Sequence, residues 1–502
     1  MRRTEFPRVA PEAVGIPSAA VERLLDKLES GFTEPHGLMI MRHGKVCAEG
    51  WWSPYAPGLR HGLQSLTKTY AATAVGIAYT EGLLKLEDRL IDIFPEESPA
   101  EPSENLKKLT VREVLCMGCG METMPAPSVD WLKEFLATPV VHTPGTTYMY
   151  NSVGSTVLGA IVRKLTGQGL QEYLTPRLFE KIGIAPEGVS WMRMPDGMEV
   201  GGGGLFSTTE DNLRLMKLYA DGGVWEGQRI LADDYVAKAI SLQNESATEA
   251  LGNPEAADNF VGYGFQIWLC RPAGVYRADG AMGQFSIVAP DKDMIISINE
   301  TATGAHWAQK SLDIIWEFLE EVSEEGALPE DAEASSCLKN RMSRLALPAP
   351  VFAPHSDMED AINRAWWKIE SGELRWEQNA VHWMSGWQGP GGFERFRLDF
   401  QPGRCRMSYV QEGRDRAVDI ATDGTRALNY VEEEGSPISR LCLNGWWSAP
   451  EVFSLAVRWV ETCFEETYRF AFSDSGVVIT RENTVGGFGP ANGKERIIAK
   501  RA

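Results

Sequence analysis

Along the first two thirds of the chain, helical periods of apolar residues are interrupted by short apolar runs; in the last third strict alternation takes over. The segment Ile16–Leu25 has the spacing of an amphipathic helix, with Ser18 as its expected N-cap. Gly37–Met41 is a short apolar run ending at the turn pair His43-Gly44, the pattern of a strand entering a hairpin. Ser286–Pro290 and Met294–Ile298 read as two paired strands joined by the turn-forming Asp291–Asp293, followed by a helix from Ala305 to about Val322. Strands at both ends of a long, largely helical middle predict an α+β domain. One antiparallel sheet would be assembled from both ends of the segment, flanked by helices and an all-helical lobe.

Three prolines fall within seven residues at Pro348, Pro350 and Pro354, and such density makes an extended connector that no helix crosses. The predicted organisation is a first domain over 1–344, a Pro-rich linker over 345–358 and a second domain over 359–502. In the second domain Phe396–Phe400, Phe453–Trp459 and Tyr468–Phe472 alternate with period two, the signature of half-buried strands. This predicts a separate antiparallel β-barrel, lipocalin-like, or a sandwich. Eight of the sixteen tryptophans lie there, including Trp366, Trp367, Trp446 and Trp447, and core filling is the reading that small barrels favour over a ligand groove.

Charge narrows the partners. Asp and Glu outnumber Lys and Arg by 69 to 49, a net charge of -20 that repels phosphate backbones and anionic lipid, so neither nucleic acid nor membrane is expected as a partner. The N-terminus has Arg2 and Arg3 but no apolar run behind them, and eight cysteines scattered over a long chain fit reduced thiols, so a cytoplasmic location is expected. Cys116 and Cys119 form a C-x-x-C without a second pair or a histidine at zinc spacing; no metal and no cofactor is expected.

Chemistry enters at His61–Ala72, where Ser65 stands at the mouth of an Ala-rich helical segment that runs to Glu81 and Gly82, the expected C-cap. A hydroxyl there lies beside the unpaired N–H groups and the positive end of the helix, which stabilise a developing oxyanion. Lys68 follows by one turn on the same face and can take the Ser65 proton if burial keeps its amine partly neutral.

Further blocks make the pattern specific. Beyond Ser65-Leu66-Thr67-Lys68 the chain contains Thr143–Gly154, with Tyr150-Asn151-Ser152, then Val157–Val162 and Leu165-Thr166-Gly167. Gly201–Asp211 is a glycine-rich approach to a helix, and Gly262-Tyr263-Gly264-Phe265 precedes the last strands. Over residues 10–325 the chain resembles the superfamily of serine β-lactamases, penicillin-binding proteins and class C esterases. The resemblance implies a β-lactamase-like sheet with Ser65 as nucleophile. Lys68 and Tyr150 would act as a coupled proton relay, and the backbone N–H groups of Ser65 and Ala281 would form the oxyanion hole.

Two positions depart from the pattern. Where relatives carry Lys or His, any residue, then Gly, this chain has Ala278-Asp279-Gly280; where many have Asn two residues after the motif tyrosine, it has Ser152. Ser152, Ala278, Asp279 and Gly280 are the expected pocket residues. Without a cation at 278 the site is not built for the carboxylate of a β-lactam or a terminal D-alanine. The expected reaction is acyl-enzyme hydrolysis of a small ester or amide, with an amino group attracted to Asp279. The alternatives are a non-catalytic ligand-binding or sensor protein that kept the fold, and a β-lactamase or D-amino-acid peptidase. The absence of any G-x-S-x-G elbow and the presence of only seven histidines argue against a Ser-His-Asp hydrolase, and His61 and His142 are expected to be structural.

Overall fold

A computed structural model describes the protein except residues 1–4, 246–254, 303–307, 325, 354, 377, 379–381, 383–384, 388 and 484–495. It divides into two compact units, the first running to Leu347 and the second beginning at Pro348.

The first unit is built on a six-stranded antiparallel sheet in the spatial order Lys45–Trp51, Thr33–Arg42, Met294–Ala302, Gln284–Ala289, Tyr276–Gly280, Trp268–Leu269. The pairing of Thr33–Arg42 with Met294–Ala302, in a register that sets Ile40 opposite Ile296, joins the two ends of the unit as the sequence predicts. Both strands are buried along nearly their whole length because helices cover both faces, so they read as continuous apolar runs rather than alternating ones.

The helix after Ser65, Thr67–Thr80, is buried all round from Thr67 to Ala78, which explains its Ala-rich composition. Gly76 meets the Tyr235 ring where a Cβ would collide. Gly82 takes φ 73° just beyond the helix end, the left-handed geometry expected of it. The helix Ser152–Thr166 packs alongside and ends at Gly167, whose φ is 75°.

Several expectations shift. Pro17, not Ser18, is the N-cap of the helix Ser18–Leu28; the Ser18 backbone N–H is already taken by the buried Glu12 carboxylate. The late helix is described over Gln309–Glu320, its predicted start lying in the segment outside the described residues. Leu345–Leu347 does not behave as linker: Leu345 and Leu347 are buried and bracket Ser53 through backbone hydrogen bonds of 3.0 Å. Apolar side chains among the prolines made that difference.

The second unit is a closed barrel. Nine strands form a ring in the order Trp366–Ser371, Phe393–Gln401, Arg404–Gln411, Arg414–Ala421, Arg440–Ala449, Val452–Trp459, Glu465–Ser473, Gly476–Asn483, Arg496–Arg501. The Ala421–Asn444 pairing closes it, and Ala427–Tyr430 adds a short outer strand. Burial alternates along Glu465–Ser473 as the sequence does, with Tyr468, Phe470 and Phe472 inward. Trp367, Trp376, Trp447 and Trp459 are core residues, and Trp447 packs against Phe400 and Phe453.

Candidate active site

Ser65 sits in a single tight turn, Gln64–Leu66, immediately before the helix Thr67–Thr80. Gln64 holds φ 49°, a left-handed backbone that a non-glycine residue adopts only when its surroundings impose it. The turn leaves Ser65 half-buried at the end of the helix while Leu63 and Leu66 are fully buried. Gly280 packs directly on this turn: a Cβ there would collide with the Leu63 carbonyl oxygen. The close approach explains the glycine and brings the end of the strand Tyr276–Gly280, and Ala281 after it, beside the serine.

Lys68 is 1% exposed, and its Nζ donates to Ser65 Oγ at 2.9 Å and to the Gly202 carbonyl. That carbonyl comes from the glycine-rich turn, where Gly201 lies so close to the Ser155 backbone that no side chain fits. Among the described residues no carboxylate contacts the ammonium. Burial pulls its pKa down to about 7, against the opposing pull of the Asp279 charge.

The ring of Tyr150 is the third neighbour, its centroid 4.7 Å from Lys68 Nζ. Tyr150 leaves the loop just before the helix Ser152–Thr166, whose N-cap is Asn151; the Asn151 side chain accepts from Gly154 N at 2.8 Å. Asn151 is therefore turned to its own helix and does not stand in for the asparagine expected at 152, where Ser152 is buried in the first turn. Tyr150 stacks on Trp268 at 5.9 Å, and Trp268 belongs to a buried cluster with Met117, Tyr148 and Tyr263.

Trp268 is also met by Arg277, whose guanidinium is 5.5 Å from the indole centroid and which is 1% exposed. Arg277 Nε donates to Asp279 Oδ2 at 2.7 Å, Nη2 donates to Asn259 Oδ1 at 2.7 Å, and Nη1 points at the Leu269 carbonyl and Cys270 Sγ. Burial alone would lower the Arg277 pKa, but Asp279, Cys270 and Asp258 hold it above its ordinary value. Burial raises the Asp279 pKa, with Arg277 and Lys68 opposing.

Lys68, Tyr150, Trp268, Arg277 and Asp279 thus form one continuous wall from the serine to the third-motif strand. Asp279 and Gly280, with Ala281, line a cavity of about 130 Å3; Ala278 is fully buried and Ser152 nearly so, and neither lines it. Sequence reasoning missed Gly202, Trp268 and Arg277. Only Arg277 left a readable signal, an arginine two residues from an aspartate in an otherwise apolar strand. His61 is buried and bonded to His36 at 2.9 Å and to the Gly62 carbonyl, and burial pushes its pKa down to about 3. His142 bonds Glu122 in an exposed position. Burial drives the Cys116 thiol up to about 12 and raises that of Cys119 further, so neither thiolate forms near neutrality.

With this geometry established, comparison with known proteins is informative. The Beta-lactamase family profile matches residues 12–313. The 6-aminohexanoate-dimer hydrolase of Paenarthrobacter ureafaciens is 26% identical over 322 residues, 58% of this chain and 79% of its own. Penicillin-binding protein 4 of Amycolatopsis lactamdurans is 26% identical over 271 residues, 47% of this chain and 70% of its own. A Bacillus anthracis structure provisionally named as a 6-aminohexanoate-dimer hydrolase shares the fold with a TM-score of 0.51 at 19% identity, covering 66% of this chain and 90% of that one.

Proposed function

The chain belongs to the Beta-lactamase family and is a serine hydrolase, and from that premise we propose that it hydrolyses a small ester or amide through an acyl-enzyme on Ser65. The observation that carries the reading is the 2.9 Å contact between Ser65 Oγ and a Lys68 amine that no carboxylate of the described residues touches. With a pKa near 7 the amine is partly neutral at physiological pH and accepts the hydroxyl proton as Ser65 Oγ attacks the carbonyl carbon. The tetrahedral oxyanion forms between the Ser65 and Ala281 N–H groups.

Lys68 and Tyr150 then return a proton to the departing alcohol or amine, acting as a coupled pair. Water repeats the attack on the acyl-enzyme by the same relay and regenerates the serine. The tyrosine ring face beside the ammonium favours the charged amine by cation–π attraction, so the proton taken from Ser65 is held at the site rather than lost to solvent.

Several features favour a small, uncharged or amine-bearing substrate over a β-lactam. Ala278 presents no cation, and Arg277 next to it spends its donors on Asp279, Asn259 and the Leu269 carbonyl. The name of the Paenarthrobacter relative, 6-aminohexanoate-dimer hydrolase, gives that protein a substrate built from an amine-bearing acid. We place the enzyme in a reducing, cytoplasmic setting, where the eight free cysteines are stable as thiols; no described helix is long and apolar enough to cross a membrane.

A fluorophosphonate probe tests the nucleophile directly. Wild type is expected to gain the probe mass on the peptide containing Ser65, and Ser65→Ala to gain none. A folded wild type that stays unlabelled, and that leaves p-nitrophenyl esters intact, would overturn the reading in favour of a non-catalytic binding protein.

A further inference from the structure

Building on that reading, we propose that Asp279 is a specificity anchor for a substrate ammonium group carried a few bonds from the scissile carbonyl, so that the enzyme acts on aminoacyl amides or esters.

The anchor is a built carboxylate. Its Oδ2 is fixed by Arg277 Nε at 2.7 Å. Among the described residues nothing donates to Oδ1, and the side chain keeps 21% of its surface exposed. The cavity it borders is small, about 130 Å3, and is bounded by Arg277, Asn259, Gly280, Ala281 and Gln309. Gln309 is already committed: Nε2 donates to Asp258 Oδ2 at 2.7 Å and its Oε1 accepts from Asp258 N at 3.0 Å. Arg277 also lines the cavity, but its donors are taken up by Asp279, Asn259, the Leu269 carbonyl and Cys270, whereas Asp279 Oδ1 accepts nothing from the described residues.

The wider charge count has the same sign. Arg277 and Arg271 face three carboxylates, Asp258, Asp279 and Asp313, in one connected network. Asp258 is fully buried and satisfied by Arg271, Gln309 and Trp316. Asp279 is the carboxylate of this network that keeps an oxygen available beside the reaction centre. A charge-assisted hydrogen bond there is stronger than a neutral one and selects sharply against a substrate that leaves the oxygen unpaired. Because Gly280 and Ala281 follow Asp279 along the chain, an acyl group whose carbonyl oxygen meets the Ala281 N–H places only a two- or three-atom spacer before the carboxylate.

The test compares kcat/KM for the β-alanyl, butyryl and succinyl amides of p-nitroaniline. These acyl groups are similar in length and carry a cation, no charge and an anion. Wild type is expected to prefer β-alanyl over butyryl by at least tenfold, with succinyl last. Asp279→Asn is expected to lose at least tenfold more on β-alanyl than on butyryl, and Asp279→Glu to restore part of that difference. Equal losses on the two substrates, or a wild type indifferent to the ammonium or favouring succinyl, would overturn the proposal; the wild-type series decides even if the asparagine variant folds poorly. Fluorophosphonate labelling separates the two levels. Ser65 labelled with no preference for the ammonium refutes the anchor alone, whereas Ser65 unlabelled refutes the hydrolase reading and the anchor with it.

Discussion

Lys68 and Arg277 are equally buried cations at the two ends of one wall, and they have opposite fates. Lys68 meets a hydroxyl, a carbonyl and a ring face, and its pKa falls to about 7. Arg277 meets a carboxylate at 2.7 Å and its pKa rises. Burial acts on both in the same direction, so what separates them is the charge next door. Glu300 completes the comparison from the anionic side. It is buried behind Gly283 with Ser311 Oγ donating at 2.6 Å and no cation bonded to it among the described residues, and burial lifts its pKa to about 7. A buried charge without a counter-charge becomes a titrating group, and one with a counter-charge becomes a fixture.

The largest effect is expected from Lys68→Met. The rate of Ser65 acylation should fall about a hundred- to ten-thousandfold, the range of a lost general base, measured by the time course of fluorophosphonate labelling. Thermal unfolding should move little or upward, because a methionine removes the cost of burying an unpaired ammonium. A large fall in Tm would show that Lys68 is a structural cation like Arg277 and would break the comparison.

Arg277→Met is the converse. It leaves the Asp279 carboxylate buried without its partner, and a loss of about 3–5 kcal/mol in unfolding free energy is expected by denaturant titration. The double variant Arg277→Met with Asp279→Leu should recover much of that loss, since removing both charges spares the desolvation that removing one exposes. Were the single variant as stable as wild type, the pair would be serving the substrate and not the fold.

How much of this was readable beforehand follows from the physical range of each interaction. The Ser65–Lys68 pair is local, one helical turn, so spacing alone placed it. The strand alternation of the barrel is local as well, and Tyr468, Phe470 and Phe472 fell inward as their period required. Trp268 and Gly202 reach the site through folding of distant segments, a stacking contact and a backbone carbonyl respectively. A backbone carbonyl carries no residue signature at all. The third-motif strand shows an intermediate case. Asp279 stood out as an anomaly in sequence, but its meaning depended on Arg277, which is adjacent on the same strand face and pairs with it, while Ala278 between them turns into the core. The absence of a cation at 278 was legible, and so was the arginine at 277, but not that folding would saturate its donors.

The smallest effect is the most discriminating, because it measures the coupling between the two ends of the wall. Activity requires neutral Lys68, so kcat/KM on a neutral ester should rise with pH through an inflection near 7 and level off above it. The Asp279 charge favours the protonated amine and raises the Lys68 pKa. Replacing that carboxylate by the amide of Asp279→Asn removes the stabilisation, so the inflection should move to lower pH, by a few tenths of a unit to about one unit for a charge acting without direct contact. At pH 6 the variant would then retain a larger fraction of its own plateau rate than wild type does, whatever its plateau becomes. An uncompensated Arg277 guanidinium also lowers the Lys68 pKa, so a shift to higher pH would show that the Asp279 charge does not act on Lys68 in the expected sense. Both routes to a displaced inflection therefore share one sign, and an unmoved inflection would show that Lys68 and Asp279 do not sense one another across the wall.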